Sequence, residues 1–118
     1  MKDANNVFGP RDEPTAKIDI DLSGPDSNGF WAIDCQISEE NKPKKTILKF
    51  RVTEAVELRS ASGLKPLDAH QEKAVETDEY GQVTIVLRGA RKEKGIDAIM
   101  TINALGVRKQ ACLFYQFQ

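Results

Sequence analysis

The sequence predicts an all-β fold, two antiparallel sheets packed face to face as a sandwich. Apolar and polar residues alternate at a period of two in one segment after another. Turn-forming residues punctuate these segments roughly every ten positions, as a two-sheet sandwich requires. No stretch offers a capped amphipathic helix. Residues 64–76 come nearest, but Pro66 and the lack of an apolar stripe count against them.

Residues 1–14 contain Asn5-Asn6, Gly9-Pro10 and Asp12-Glu13-Pro14 with little periodicity. They read as a flexible tail or linker, leaving 15–118 as one sandwich domain. Ile18, Ile20 and Leu22 then alternate with Lys17, Asp19 and Asp21. Ser23 to Gly29 is a turn by composition. Trp31, Ile33, Cys35 and Ile37 form the next apolar row, and Glu39 to Lys45 the next loop. Leu48, Phe50 and Val52 alternate with Lys49 and Arg51, and Val56-Glu57-Leu58 reads as a short strand. Residues 61–69, with Gly63 and Pro66, read as loop, and His70 to Glu76 as a weak strand. The firmest strand is Gln82 to Arg88, entered through Thr77-Asp78-Glu79-Tyr80-Gly81, a polar turn ending in glycine. Arg88 to Gly95 is a charged loop. Ala98, Met100 and Ile102 share a face of the following strand, and Asn103 to Gly106 reads as a hairpin turn. The last strand carries Ala111, Leu113, Tyr115 and Phe117 on one face, with Phe114 facing away. The count is seven or eight strands. The inward rows, with Val83, Ile85 and Leu87 of the firmest strand, form the expected core.

At 118 residues the chain suffices for one core. A hydrophobic fraction of 40% and a charged fraction of 30% are ordinary for a globular domain. The net charge of −1 gives no global attraction to nucleic acid or anionic membrane, so neither is expected as a partner. No apolar run approaches the ~20 residues of a membrane helix. Met1 to Asn6 carries no signal-peptide core. The chain is then either cytoplasmic or a piece of a longer exported protein, and the fold favours the piece.

Chemistry-bearing constellations are sparse. The only histidine, His70, lies near Asp68, Ser60 and Ser62 without the spacing that would define a triad. One histidine and two distant cysteines do not make a zinc site. Asp19, Asp21, Asp26, Glu39 and Glu40 are acidic but form no calcium-loop motif, and no phosphate-binding glycine loop occurs. No enzyme activity and no cofactor are expected. Cys35 and Cys112 read as two buried free thiols, the alternative being a bridge between them, which requires Cα atoms within roughly 7 Å.

Two features suggest binding. Lys42, Lys44 and Lys45 lie in one loop, and Arg91, Lys92 and Lys94 in another. An even number of strands between them would bring both to one end of the sandwich, as a basic tip for an acidic glycan or protein. An odd number would put them at opposite ends. Phe114 is the candidate exposed aromatic contact, whereas Trp31 shares the parity of the core row.

Several segments together resemble a bacterial immunoglobulin-like domain of the invasin and intimin type, over roughly residues 15–118. Thr77-Asp78-Glu79-Tyr80-Gly81-Gln82-Val83-Thr84 is similar to its Thr-Asp-x-x-Gly-x-x-Thr signature. Glu39-Glu40-Asn41-Lys42-Pro43 resembles its Asp-x-Asn-Gly-x-Pro turn, with Lys42 in place of glycine. Trp31–Ile37 and Thr46–Val52 resemble neighbouring strands, and Gly95–Ala104 with Val107–Phe117 its final hairpin. The resemblance implies a non-catalytic structural or adhesion module of a larger cell-surface or secreted protein. Its partners would be neighbouring domains of the same polypeptide and a host or surface protein or acidic glycan. A carbohydrate-binding or accessory domain of a secreted enzyme is the alternative.

Overall fold

Alternation in the sequence becomes ten strands in the computed structural model, which describes residues 15–91 and 95–115. They are β1 (Ala16–Ser23), β2 (Trp31–Glu39), β3 (Lys42–Pro43), β4 (Ile47–Val52), β5 (Val56–Ser60), β6 (Gly63–Leu67), β7 (Lys73–Glu76), β8 (Gln82–Gly89), β9 (Ile96–Ala104) and β10 (Val107–Tyr115). The expected tail 1–14, Lys92, Lys94 and Phe117 lie outside the described residues.

The larger sheet runs β1-β2-β8-β5-β6, with β3 added on β2; the smaller runs β10-β9-β4-β7. Every pairing is antiparallel. Lettered in chain order, β1, β2, β4, β5, β8, β9 and β10 give ABED on one sheet and CFG on the other. That is the immunoglobulin-like arrangement. The inward rows meet as one core: Ile33, Ile37 and Leu87 from the larger sheet face Leu48, Phe50, Met100, Ile102 and Leu113 from the smaller, all essentially inaccessible.

The strand count exceeds the expected seven or eight for two local reasons. Glu40 and Asn41 both take positive φ (52° and 65°), which closes a tight hairpin and lets Lys42 and Pro43 pair back onto Glu39 and Ser38. Residues 63–67, read as loop, form β6 against β5, with Pro66 opposite Glu57. Pro66 is tolerated because β6 is the sheet's outermost strand, where a missing N–H breaks no interior ladder. The hairpin turn before β10 is as read: Ala104 pairs with Val107, and Leu105 and Gly106 have φ of 51° and 79°. Three core assignments shift. Ile20 and Val83 are only partly buried against the core. Tyr115 is 38% exposed, because β10 is an edge strand and Tyr115 its last residue.

The turn from β7 to β8 joins the two sheets. Asp78 Oδ1 accepts from the backbone N–H groups of Tyr80 and Gln82, both at 2.9 Å. Asp78 N–H donates to the Gln82 carbonyl (2.9 Å) and Gly81 N–H to the Asp78 carbonyl (3.0 Å). On the smaller-sheet side, Thr77 N–H donates to the Thr46 carbonyl (2.9 Å), and Thr46 N–H donates to Thr77 Oγ1 (2.9 Å). On the larger-sheet side, Ile37 N–H donates to the Gly81 carbonyl (2.7 Å), and Lys44 N–H to the Ile37 carbonyl (3.0 Å). Ile37 is thus where β2 passes from pairing with β8 to pairing with β3. The same turn chemistry recurs at Asp26-Ser27-Asn28-Gly29-Phe30. Asp26 Oδ1 accepts from Asn28 and Phe30 N–H (2.8 and 2.9 Å), and Asp26 N–H donates to the Phe30 carbonyl (2.9 Å). The Phe30 amide, first, holds the Asp26 carboxyl below its ordinary range. Its stabilising effect is present above the unfolded carboxylate's pKa and fades as pH falls through the lowered folded value.

The two turns differ in what surrounds the glycine. Gly81 has φ of 73°, and a Cβ there would overlap the Ile37 carbonyl oxygen and crowd the Lys44 backbone; Gly29 has φ of 86° with open space around it. Gly81→Ala is therefore expected to cost at least about 3 kcal/mol, combining strain with displacement of backbone. Gly29→Ala should cost only about 1–2 kcal/mol, the left-handed penalty alone. Urea unfolding of both variants checks this, and equal losses would contradict the junction.

Candidate functional site

Following the registers fixes two ends. β2 descends from Trp31 to Glu39. β1 starts low, since Ala16 pairs with Glu39, and β8 climbs from Gln82 opposite Gln36 to Leu87 opposite Trp31. β4 climbs away from the low junction, β9 descends, and β10 climbs to Tyr115. Five strands, β4 to β8, separate the lysines around β3 from Arg91, so these described residues sit at opposite ends. Lys42, Lys44 and Lys45 are exposed at the low end, and Arg91 is exposed at the high end. Lys44 Nζ lies 3.9 Å from Glu39 Oε1 on the surface, an ion pair of ~0–1 kcal/mol.

The high end holds two of the residues chosen from sequence. Arg91 and Phe114 line one open groove of about 350 Å³, together with Glu54, Gly95, Ile96, Asp97 and Tyr115. The chain beyond β4 builds its floor. Thr53 N–H donates to the Ile99 carbonyl (3.1 Å), Ile99 N–H to Thr53 Oγ1 (2.9 Å), and Asp97 N–H to Glu54 Oε1 (2.9 Å). Side chains here continue a ladder that the backbone has left, and they fix the Glu54 carboxylate. Phe114 is 62% exposed because it has opposite parity to the fully buried Leu113. It pairs across the hairpin with Asp97. Below it on the same face, Cys112 pairs with the exposed Ile99, then Gln110 with Thr101 and Arg108 with Asn103. The lower two pairs are joined by side-chain hydrogen bonds of 3.4 Å. The end of the hairpin nearest the groove is the apolar end.

Trp31 lies in the core at 7% exposure, as its parity requires, and is no surface platform. Its indole Nε1 has no hydrogen-bond partner among the described residues. Phe30 is the residue that sequence reasoning missed. It faces outward from the larger sheet yet is 7% exposed, covered by Arg59 (4.1 Å from its ring centre) and Arg88 (4.7 Å). Arg88 Nε donates to Glu57 Oε1 at 2.9 Å. Register brings these together, with Glu57 opposite Arg88. Spacing alone gives no sign of it.

The remaining candidates are dispersed or committed. Ser60 and Ser62 sit in the β5–β6 turn, where Ser60 Oγ donates to the Gly63 carbonyl (2.8 Å). His70 lies beyond the other end of β6, its N–H on the Val52 carbonyl (2.7 Å), so these residues form no triad. Asp19, Asp21 and Asp34 line a shallow groove on the outer face of the larger sheet, with Asp21 directly opposite Asp34. Among the described residues no group of three or more His, Cys, Asp or Glu has metal-holding geometry. No helix of the described residues is long and apolar enough to cross a membrane. No family model, curated protein or solved structure matches the chain.

The two cysteines part company with the expectation that both are buried. Cys35 is buried and Cys112 exposed, both free. Cys112 has the parity of Phe114 and so faces solvent. Burial, first, and the neighbouring Asp34 carboxylate push the Cys35 thiol up from its ordinary 9.0 to about 11. A raised thiol pKa means full stabilisation below the unfolded value and a loss as pH climbs through the folded one, here from 9.0 to about 11. At pH 8 a thiol reagent should label Cys112 within minutes and reach Cys35 only after denaturation. Mass spectrometry after timed labelling checks this, and equal labelling of native Cys35 would contradict it.

Proposed function

We propose that this domain is a non-catalytic structural or adhesion module of a larger bacterial cell-surface or secreted protein, a rigid unit between neighbouring domains. The observation that carries the reading is the course of the chain. β1 begins at the low end and β10 finishes at the high end, so the chain crosses the long direction of the sandwich between entry and exit. Such units can be strung end to end without the chain doubling back. The Thr77–Thr84 signature and the Glu39–Pro43 turn, both resembling invasin-type repeats, support the same reading, as does the immunoglobulin-like strand order. Fold alone assigns no function, so the weight falls on the groove beside the exit. Among the described residues, an exposed aromatic ring is flanked by one cation and two carboxylates, which suits a polar macromolecular partner or the next domain.

A carbohydrate-binding or accessory role is the second reading, favoured by Phe114 lying in the same groove as Glu54, Asp97 and Arg91. An aromatic face with polar groups around it is what a sugar ring requires.

Protease shaving of intact source cells tests the first reading. Peptides of this domain should be released from intact cells or found in the medium; recovery only after lysis would contradict the surface assignment. For the groove, wild type is screened on an array of glycans and surface proteins, and Phe114→Ala combined with Arg91→Glu should reduce binding to the component it selects by at least tenfold. Both residues are exposed, so the melting temperature should hold within a few degrees. A glycan rather than a protein as that component would favour the accessory reading.

A further inference from the structure

We propose that a slot on the open side of the sandwich takes an extended acidic peptide segment, which adds as a strand to the free edge of β8. The proposal begins with an incomplete ladder. On one side β8 pairs with β2 from Gln82 through Leu87. On the other, β5 pairs with it only at Gly89, Arg88 and Leu87. Among the described residues no strand pairs with β8 from Gln82 to Val86 on that side. Alternation of the amides decides which groups are left. The Gly81 carbonyl accepts from Ile37, so odd positions face β2. Gln82 faces away, and its N–H and C=O are taken by Asp78. Thr84 is the next residue facing away, and its N–H and C=O open on the gap. An unpaired edge of this kind is a template for strand addition.

The gap has a defined chemistry. It is a slot of about 140 Å³ with an apolar floor of Phe50, Leu58, Val75 and Ile85. Arg59, Lys65 and Lys73 also line it, and among the described residues no carboxylate does. Lys65 pairs with Leu58 and Lys73 with Phe50, so both lysines share the inward faces of their sheets. Two ammonium groups thus belong to the mouth of the slot, one from each sheet. Inward-facing lysines at a sheet edge repel neutral or basic strands. The same charges favour a strand whose apolar side chain enters the slot between flanking carboxylates. Charge complementarity therefore selects an acidic segment.

The test is an amide NMR titration of the whole chain with a capped peptide of about seven residues alternating glutamate and leucine, long enough to span the free edge. Saturable shifts centred on Thr84, Val86, Lys65 and Lys73 are expected. N-methylating alternate peptide amides should weaken binding at least tenfold, without any change to the protein. Lys65→Glu with Lys73→Glu should do the same while leaving the amide spectrum of the core in place. No saturation at millimolar peptide would overturn the proposal. So would equal binding of the N-methylated peptide, or of a peptide with lysine for glutamate. Decanoate competing as well as the peptide, with the same shifts, would make the slot a site for small amphipathic anions and would also overturn it.

Discussion

The fold depends most on the carbonyl of Gly81. It accepts the Ile37 amide at the point where β2 gives up β8 as a neighbour and takes β3. Lys44 closes on the other side of Ile37, and Thr77 with Thr46 ties the neighbouring strands of the smaller sheet into the same place. Hydrophobic burial supplies most of the folding free energy and fixes which face of each strand turns inward, but a slip of two residues keeps that parity, so burial alone does not choose the register. Here a short polar turn does so. Asp78 holds the loop shape through its side chain, Gly81 allows the backbone to approach, and Thr77 fixes the other sheet. Because each buried amide must find a partner, a slip of one residue at this junction would leave several unsatisfied at once.

Strand parity then determines what the surface offers. Leu113 and Phe114 are neighbours in sequence, and one is fully buried while the other is the most exposed large apolar side chain beside the exit groove. Trp31 and Phe30 are the same case with a different outcome. Trp31 enters the core, and Phe30 faces out but is covered by Arg59 and Arg88. An outward aromatic need not be a contact surface when the adjacent strands carry arginines in register. Nor does a cluster of like charge mean one site. The lysines in and after β3 and Arg91 after β8 are separated by an odd number of strands and therefore by the length of the sandwich.

The sheets were largely legible because each long strand carries its own alternation. Ile33, Cys35 and Ile37, or Val83, Ile85 and Leu87, identify an inward face without any knowledge of partners. Tight turns were legible where glycine or asparagine marks them. What escaped was short or depended on pairing. β6 contains Gly63 and Pro66 and has a single buried residue, Leu67, so no local pattern announces it. Missing one strand changes the parity of the count, and that parity decides whether two loops share an end. The Phe30 cluster, the groove that unites Arg91 with Phe114, and the early departure of β5 from β8 are consequences of register between distant segments. Local propensity carries no record of them.

Native-state hydrogen exchange would test the central role of the Gly81 junction most directly. The amides of Ile37, Lys44, Thr46 and Thr77 lie at the edge of the molecule, where loops commonly open at little cost. If the junction sets the register of both sheets, these four should exchange only by global unfolding, at the same free energy as Ile33 and Met100 in the core. Exchange of the four by a local opening several kcal/mol below that level, with the core still protected, would contradict the account.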